Sequence, residues 1–143
     1  MNYLWLVFAL LSAASAALVS IFGKIGLKGI DANTATAIRA IIMAIFLVLV
    51  IIFQGKLNQI PLIIQNKKTM SFIILSGVAG AMSWLFYFVA LKYGKVSQVA
   101  PVDKLSVVLA VILSVIFLGE KLSLIGSIGV FLIAVGTILV ALG

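Results

Sequence analysis

Residues 97–123 read SQVAPVDKLSVVLAVILSVIFLGEKLS. Apart from two serines, residues 105–118 are wholly apolar. A proline, an aspartate and a lysine (Pro101, Asp103, Lys104) are set into the start of the run. It leaves through Gly119-Glu120-Lys121-Leu122-Ser123, a hairpin too short to depart from a membrane surface. Charged groups inside apolar helices are expensive, so their placement carries information.

Outward from this stretch the chain keeps the same character. Apolar residues make up 65% and charged residues 9% of the 143 positions, too few charges to cover the surface of a soluble domain this small. A spanning helix needs roughly 20 apolar residues. Five stretches qualify, at about 3–27, 34–53, 70–91, 97–118 and 122–142. They use most of the chain, so residues 1–143 read as a single transmembrane domain. The apolar runs are continuous rather than alternating, which argues against a β-barrel. The expectation is an all-α integral membrane protein, a five-transmembrane-helix bundle.

The net charge of +7 does not point to nucleic acid, because the longest basic run is Lys67-Lys68 and lysines commonly flank spans. Cysteine and histidine are both absent, so thiol chemistry and the commonest metal ligand are missing. No cofactor and no metal are expected. Asp103 and Glu120 lie roughly 25 Å apart along one helix, too far to cooperate as acid and base. No other catalytic constellation is present, and the chain does not read as an enzyme. Ala14-Ser15-Ala16 resembles a leader cleavage site, but no basic side chain precedes it and the apolar run continues to Leu27. The first span therefore reads as retained.

The five spans put the first and third loops on one face. Lys24, Arg39, Asp103 and Lys104 then lie near the same surface, each roughly 5–9 Å inside it by helix rise. Tyr87 lies near the same end of span three. On a continuous helix Asp103, Ser106, Ala110 and Ser114 share a small polar face, whereas Lys104 joins Val107, Val108 and Val111. This places Asp103 toward a cavity and Lys104 toward the headgroups; a helix-holding pair of Asp103 with Arg39 or Lys24 is the structural alternative. In span three, Ser76, Gly80, Ser83 and Tyr87 form one stripe with Trp84 beside it, deeper than an interfacial belt. Trp84 reads either as helix packing or as a cavity wall. The expected cavity comprises Ser12, Ser20, Ser83, Trp84, Tyr87, Asp103, Ser106 and Ala110, with Lys24, Arg39 and Lys104 at its mouth.

Loop charges barely orient the chain. Lys56, Lys67, Lys68 and Lys121 fall on the face of the N-terminus, while Lys24, Lys28, Arg39, Lys92, Lys95 and Lys104 fall on the other. Setting aside the intramembrane Lys24, Arg39 and Lys104 reverses the bias. Such a chain suits insertion in both orientations. Transporters often consist of two halves of inverted topology, which an antiparallel dimer supplies.

Several segments together resemble the EamA domain of the drug/metabolite transporter superfamily over essentially the full length. They are Phe22-Gly23-Lys24-Ile25-Gly26, Arg39, Ala90-Leu91-Lys92-Tyr93-Gly94, Val99-Ala100-Pro101 and Leu118-Gly119-Glu120-Lys121-Leu122-Ser123. The resemblance implies one half of a ten-helix inverted-repeat transporter, completed by itself as a homodimer or by a small paralogue. Residues 129–136, GVFLIAVG, are similar to the dimerisation segment of small multidrug-resistance transporters, which implies Gly129, Ile133 and Gly136 at a dimer interface. Those relatives exchange drug cations for protons through a glutamate in their first span. Span one here has no acidic residue, so that activity does not carry over. The function expected is transport of a small polar metabolite, an amino acid or another anionic or zwitterionic solute, across a prokaryotic cytoplasmic membrane. A lipid-carrier flippase subunit and a non-transporting scaffold are the alternatives.

Overall fold

A computed structural model describes residues 3–143. Seven α-helices follow one another: α1 Leu4–Gly26, α2 Ala32–Phe53, α3 Gln59–Gln65, α4 Lys67–Tyr93, α5 Val96–Asp103, α6 Leu105–Leu113 and α7 Leu124–Leu142. A π-helical turn, Ser114–Leu118, extends α6, so that Val96–Leu118 forms one interrupted span. Five stretches are long and apolar enough to cross a membrane, and no strand occurs among the described residues. Their outer faces carry large apolar side chains, with Phe53 88% and Ile125 83% exposed. Such surface is tolerable in lipid and not in water.

The chain forms two compact units. One is Gly23–Lys92, comprising the end of α1, then α2, α3 and most of α4. Asp31 caps α2, its carboxylate accepting from the Thr34 backbone N–H at 2.8 Å and from the Thr34 hydroxyl at 3.0 Å. Asn66 likewise accepts from the Thr69 N–H at 3.1 Å, and α4 accordingly starts at Lys67, ahead of the apolar run at residue 70. The Ile60–Ile64 segment forms only the seven-residue α3, too short to span.

This unit has its core at one end, where Leu27, Ala32, Thr36, Phe88 and Leu91 are buried. Gly23 is what lets α1 reach it: a Cβ there would overlap the Phe88 ring. One residue on, Lys24 Nζ donates to the Leu91 carbonyl, satisfying an oxygen in the last turn of α4 that the helix itself leaves short of a donor.

The second unit joins the rest of α1, up to Phe22, to Tyr93–Gly143. Here α7 packs along α5 and α6. The expected single helix is broken. The helix starts at Val96, so Pro101 stands inside it at the sixth residue rather than in its first turn. Proline has no N–H to give to the Ser97 carbonyl, and its ring crowds that turn. Two bonds of tighter pitch follow, from Lys104 N to Pro101 O at 2.9 Å and from Val107 N to Lys104 O at 3.0 Å. The helix stops at Asp103 and resumes at Leu105. At the far end Gly119 closes the π turn with a left-handed φ of 68°. Ser123 then caps α7, accepting from the Gly126 N–H at 3.0 Å.

Two outcomes test this packing. On helix propensity alone Gly23→Ala gains about 0.5–1 kcal/mol. The overlap with Phe88 reverses that sign, so thermal unfolding in detergent shows a loss, and adding Phe88→Leu restores most of it. The Asp31 carboxyl is held below its usual range, chiefly by the Thr34 backbone N–H. A lowered folded-state pKa stabilises above the unfolded value and fades as pH falls through the folded one. Asp31→Ala is therefore less stable than the native chain at neutral pH, and the two melting curves converge in strong acid.

Candidate functional site

Arg39 lies two turns into α2, in an otherwise apolar span. Trp84 and Phe88 are one turn apart in α4 and so share a face. The guanidinium carbon stands 3.4 Å from the Trp84 ring centroid and 4.0 Å from that of Phe88. Tyr87 meets Phe88 edge to face, with centroids 5.6 Å apart. All three guanidinium nitrogens are buried, and none has a hydrogen-bond partner among the described residues. Aromatic faces offer a desolvated cation about 2 kcal/mol or more, but they accept none of its five in-plane N–H donors. The charge is shielded without being neutralised.

The groove between α2 and α4 forms an open pocket of 620 Å³. On α2 it is lined by Thr36, Ala40, Ala44 and Leu47, flanked by Asn33, Ala37 and Met43. On α4 it is lined by the row Ser76, Gly80, Trp84 and the neighbouring row Gly77, Ala81, Leu85. Trp84 thus serves twice, as a platform for Arg39 and as a wall of the cavity. Arg39, near the start of α2, meets Trp84, late in α4, as it would between antiparallel neighbours. In that sense Asn33, Thr36 and Trp84 fall toward one end of the cavity and Leu47 and Ser76 toward the other. The Thr36 hydroxyl is already donated to the Ala32 carbonyl at 2.8 Å.

Of the eight residues expected in a cavity, Trp84 alone lines this one. The expected stripe only partly follows the face that lines this cavity. Ser76 and Gly80 are on it, but a spacing of four leads to Trp84, and Ser83 and Tyr87 lie to one side. Ser83 is exposed and Tyr87 half-buried. The signal for Phe88, which the sequence reading left out, was its spacing of four from Trp84. Asn33, Thr36, Ala40 and Ala44 were likewise missed, although they form a small-residue row on α2.

Ser12, Ser20, Asp103, Ser106 and Ala110, also expected in the cavity, belong to the other unit. Ser12, Ser106 and Ala110 are exposed there. Ser20 is buried and donates to the Ala16 carbonyl at 3.1 Å. The wheel that separated Asp103 from Lys104 does not hold, because it assumed an unbroken helix. Across the interruption the two side chains pair, Lys104 Nζ to Asp103 Oδ2 at 3.3 Å. Lys24, expected as a mouth charge, donates to the Leu91 carbonyl. On α7, Ile133 is 41% exposed, and Cβ atoms placed on Gly129 or Gly136 would meet open space. No group of three or more potential metal ligands occurs among the described residues.

Comparison with known proteins places the chain. It is 43% identical over 144 residues to an uncharacterized transporter encoded in the cobO 3′ region of a Sinorhizobium species, covering 99% of both chains. It is 35% identical over 101 residues to an uncharacterized protein of Methanocaldococcus jannaschii, covering 71% of each. No solved structure matches significantly. Residues 3–142 match the EamA-like transporter family across five apolar spans, and the chain is a multi-pass membrane protein belonging to that family.

Proposed function

We propose that the chain is half of an alternating-access transporter for a small metabolite carrying negative charge, completed in a prokaryotic cytoplasmic membrane by a second, antiparallel copy. The observation that carries this reading is Arg39: a permanent charge in an apolar span, its guanidinium nitrogens buried and without a hydrogen-bond partner among the described residues. A cation kept only for packing is better replaced by an apolar side chain. One kept for function waits for an acceptor. The near-balanced loop charge supports an inverted second half. The open space beyond Gly129 and Gly136 supports close helix approach there. Asp103, at the interruption of span four, is the group suited to follow the transport cycle, as broken helices commonly mark coupling sites.

The test uses proteoliposomes preloaded with a mixture of amino acids and short carboxylic acids, with efflux of each followed by mass spectrometry. Arg39→Met unfolds at the native temperature or above it, yet exchange falls on the order of a hundredfold, the scale of one lost charge-assisted contact. Native flux in that variant overturns the reading. Asp103→Asn leaves an exposed lysine unpaired, a change within about 1 kcal/mol of stability, and it stops flux while expression stays normal. Tags on the two termini should each report on both faces of the membrane. A single orientation removes the antiparallel homodimer in favour of a paralogue.

A further inference from the structure

The cavity between α2 and α4 is apolar along most of its length, and one of its walls, Trp84, carries on its ring a guanidinium with no hydrogen-bond partner among the described residues. We infer that its ligand, and on the transporter reading above its cargo, is an amphipathic organic anion: a compact apolar body bearing a single carboxylate. Size is the first argument. A volume of 620 Å³ lies in the range of ordinary ligand pockets and holds a ring or short branched chain, not merely an acetate-sized acid.

Lining chemistry is the second argument. Ala40, Ala44, Leu47, Gly77, Gly80 and Ala81 offer no side-chain hydrogen bonds. A sugar or a polyhydroxylated acid entering here would surrender most of its hydration for the few polar groups of Asn33, Thr36 and Ser76. Charge is the third. Within Gly23–Lys92 the one acidic residue is Asp31, already held by Thr34 at the cap of α2. The unit therefore has no carboxylate left to receive a cationic ligand, and it has a guanidinium whose planar fork matches a carboxylate.

Trp84 links the two parts of the site, since its ring carries Arg39 and borders the cavity. A ligand seated along the small residues places its carboxylate at the Trp84 end. The guanidinium then exchanges ring faces for charge-assisted hydrogen bonds. The reorientation is confined to one flexible side chain, and the apolar body needs no backbone movement to enter.

The experiment reads Trp84 fluorescence in a Trp5→Phe background, which leaves one tryptophan, in nanodiscs of zwitterionic lipid. The probes are cyclohexanecarboxylate, its neutral amide and acetate. The carboxylate shifts the emission saturably and binds on the order of tenfold tighter than either control, the scale of a charge-assisted contact. Arg39→Met abolishes the preference for acid over amide. Gly80→Leu, at a position where a Cβ meets open space, fills the cavity and weakens both ring compounds.

Equal binding of acid and amide, or a preference that survives Arg39→Met, overturns the inference. So does loss of cyclohexanecarboxylate binding when phosphatidylglycerol is added, because a lipid headgroup would then be the occupant. Flux of hydrophilic amino acids without cyclohexanecarboxylate binding overturns the inference and leaves the transporter reading standing. Binding without any flux upholds the site and removes the transporter reading.

Discussion

The contact of Arg39 with Trp84 and Phe88 is the constraint around which the Gly23–Lys92 unit is organised. A guanidinium does not lose its proton on burial, so it must be accommodated as a cation. In a bilayer the hydrophobic effect does not press helices together, and packing and polar contacts decide which faces meet. The dependence runs through named residues. Phe88 reaches the guanidinium because it is buried beside Leu91. It fits because Gly23 has no side chain. The end of α1 is kept there by Lys24 on the Leu91 carbonyl. Trp84 then presents one ring to both the charge and the cavity.

The other unit handles charge differently. Asp103 and Lys104 neutralise each other at 3.3 Å, side by side at the helix interruption. That pairing lowers the cost of holding either near the apolar interior. The interruption itself leaves little backbone unsatisfied, since the tight bonds at Pro101 and Lys104 and the π turn closing on Ser114 replace the regular ladder. Discontinuities of this kind concentrate where membrane transporters move or bind. One unit thus contains a guanidinium stacked on aromatic rings with no hydrogen-bond partner among the described residues, and the other an aspartate–lysine pair at a helix interruption.

The five spans were legible because each apolar run is longer than any soluble helix core requires, and because hydropathy needs no knowledge of neighbours. The ends were less so: Lys67 and Lys68 are helical because Asn66 caps the helix before them, a hydrogen-bonding fact that an apolar run does not encode. The break at Lys104 was hidden by the continuous apolar run: span four begins within one residue of its expected start at 97, and Pro101, sixth in the helix, acts as a helix breaker there. Arg39 was legible as an expensive residue. Its aromatic partners were not, because Phe88 resembles the exposed Phe72 and Phe86 until the Gly23 approach singles it out. The expected stripe passes through Ser83 and Tyr87 and leaves the face lining the α2–α4 cavity, since a helical stripe followed at mixed spacings of three and four drifts away from a row followed at four.

The absence of an acid from the spans of this unit gives the arginine its meaning. An anchoring cation is ordinarily accompanied by a carboxylate on the facing helix, and the fold had room for one: Ala40, Ala44, Gly77 and Gly80 are all small. Placing an acid there would satisfy the guanidinium permanently and occupy the cavity with it. Aromatic rings keep the cation within the span while leaving its hydrogen-bonding capacity unused. They hold it more weakly than a bidentate carboxylate would. A cation stored in that way is available to an incoming anion at small cost, and the small residues that an internal acid would have displaced leave space for that anion's apolar body.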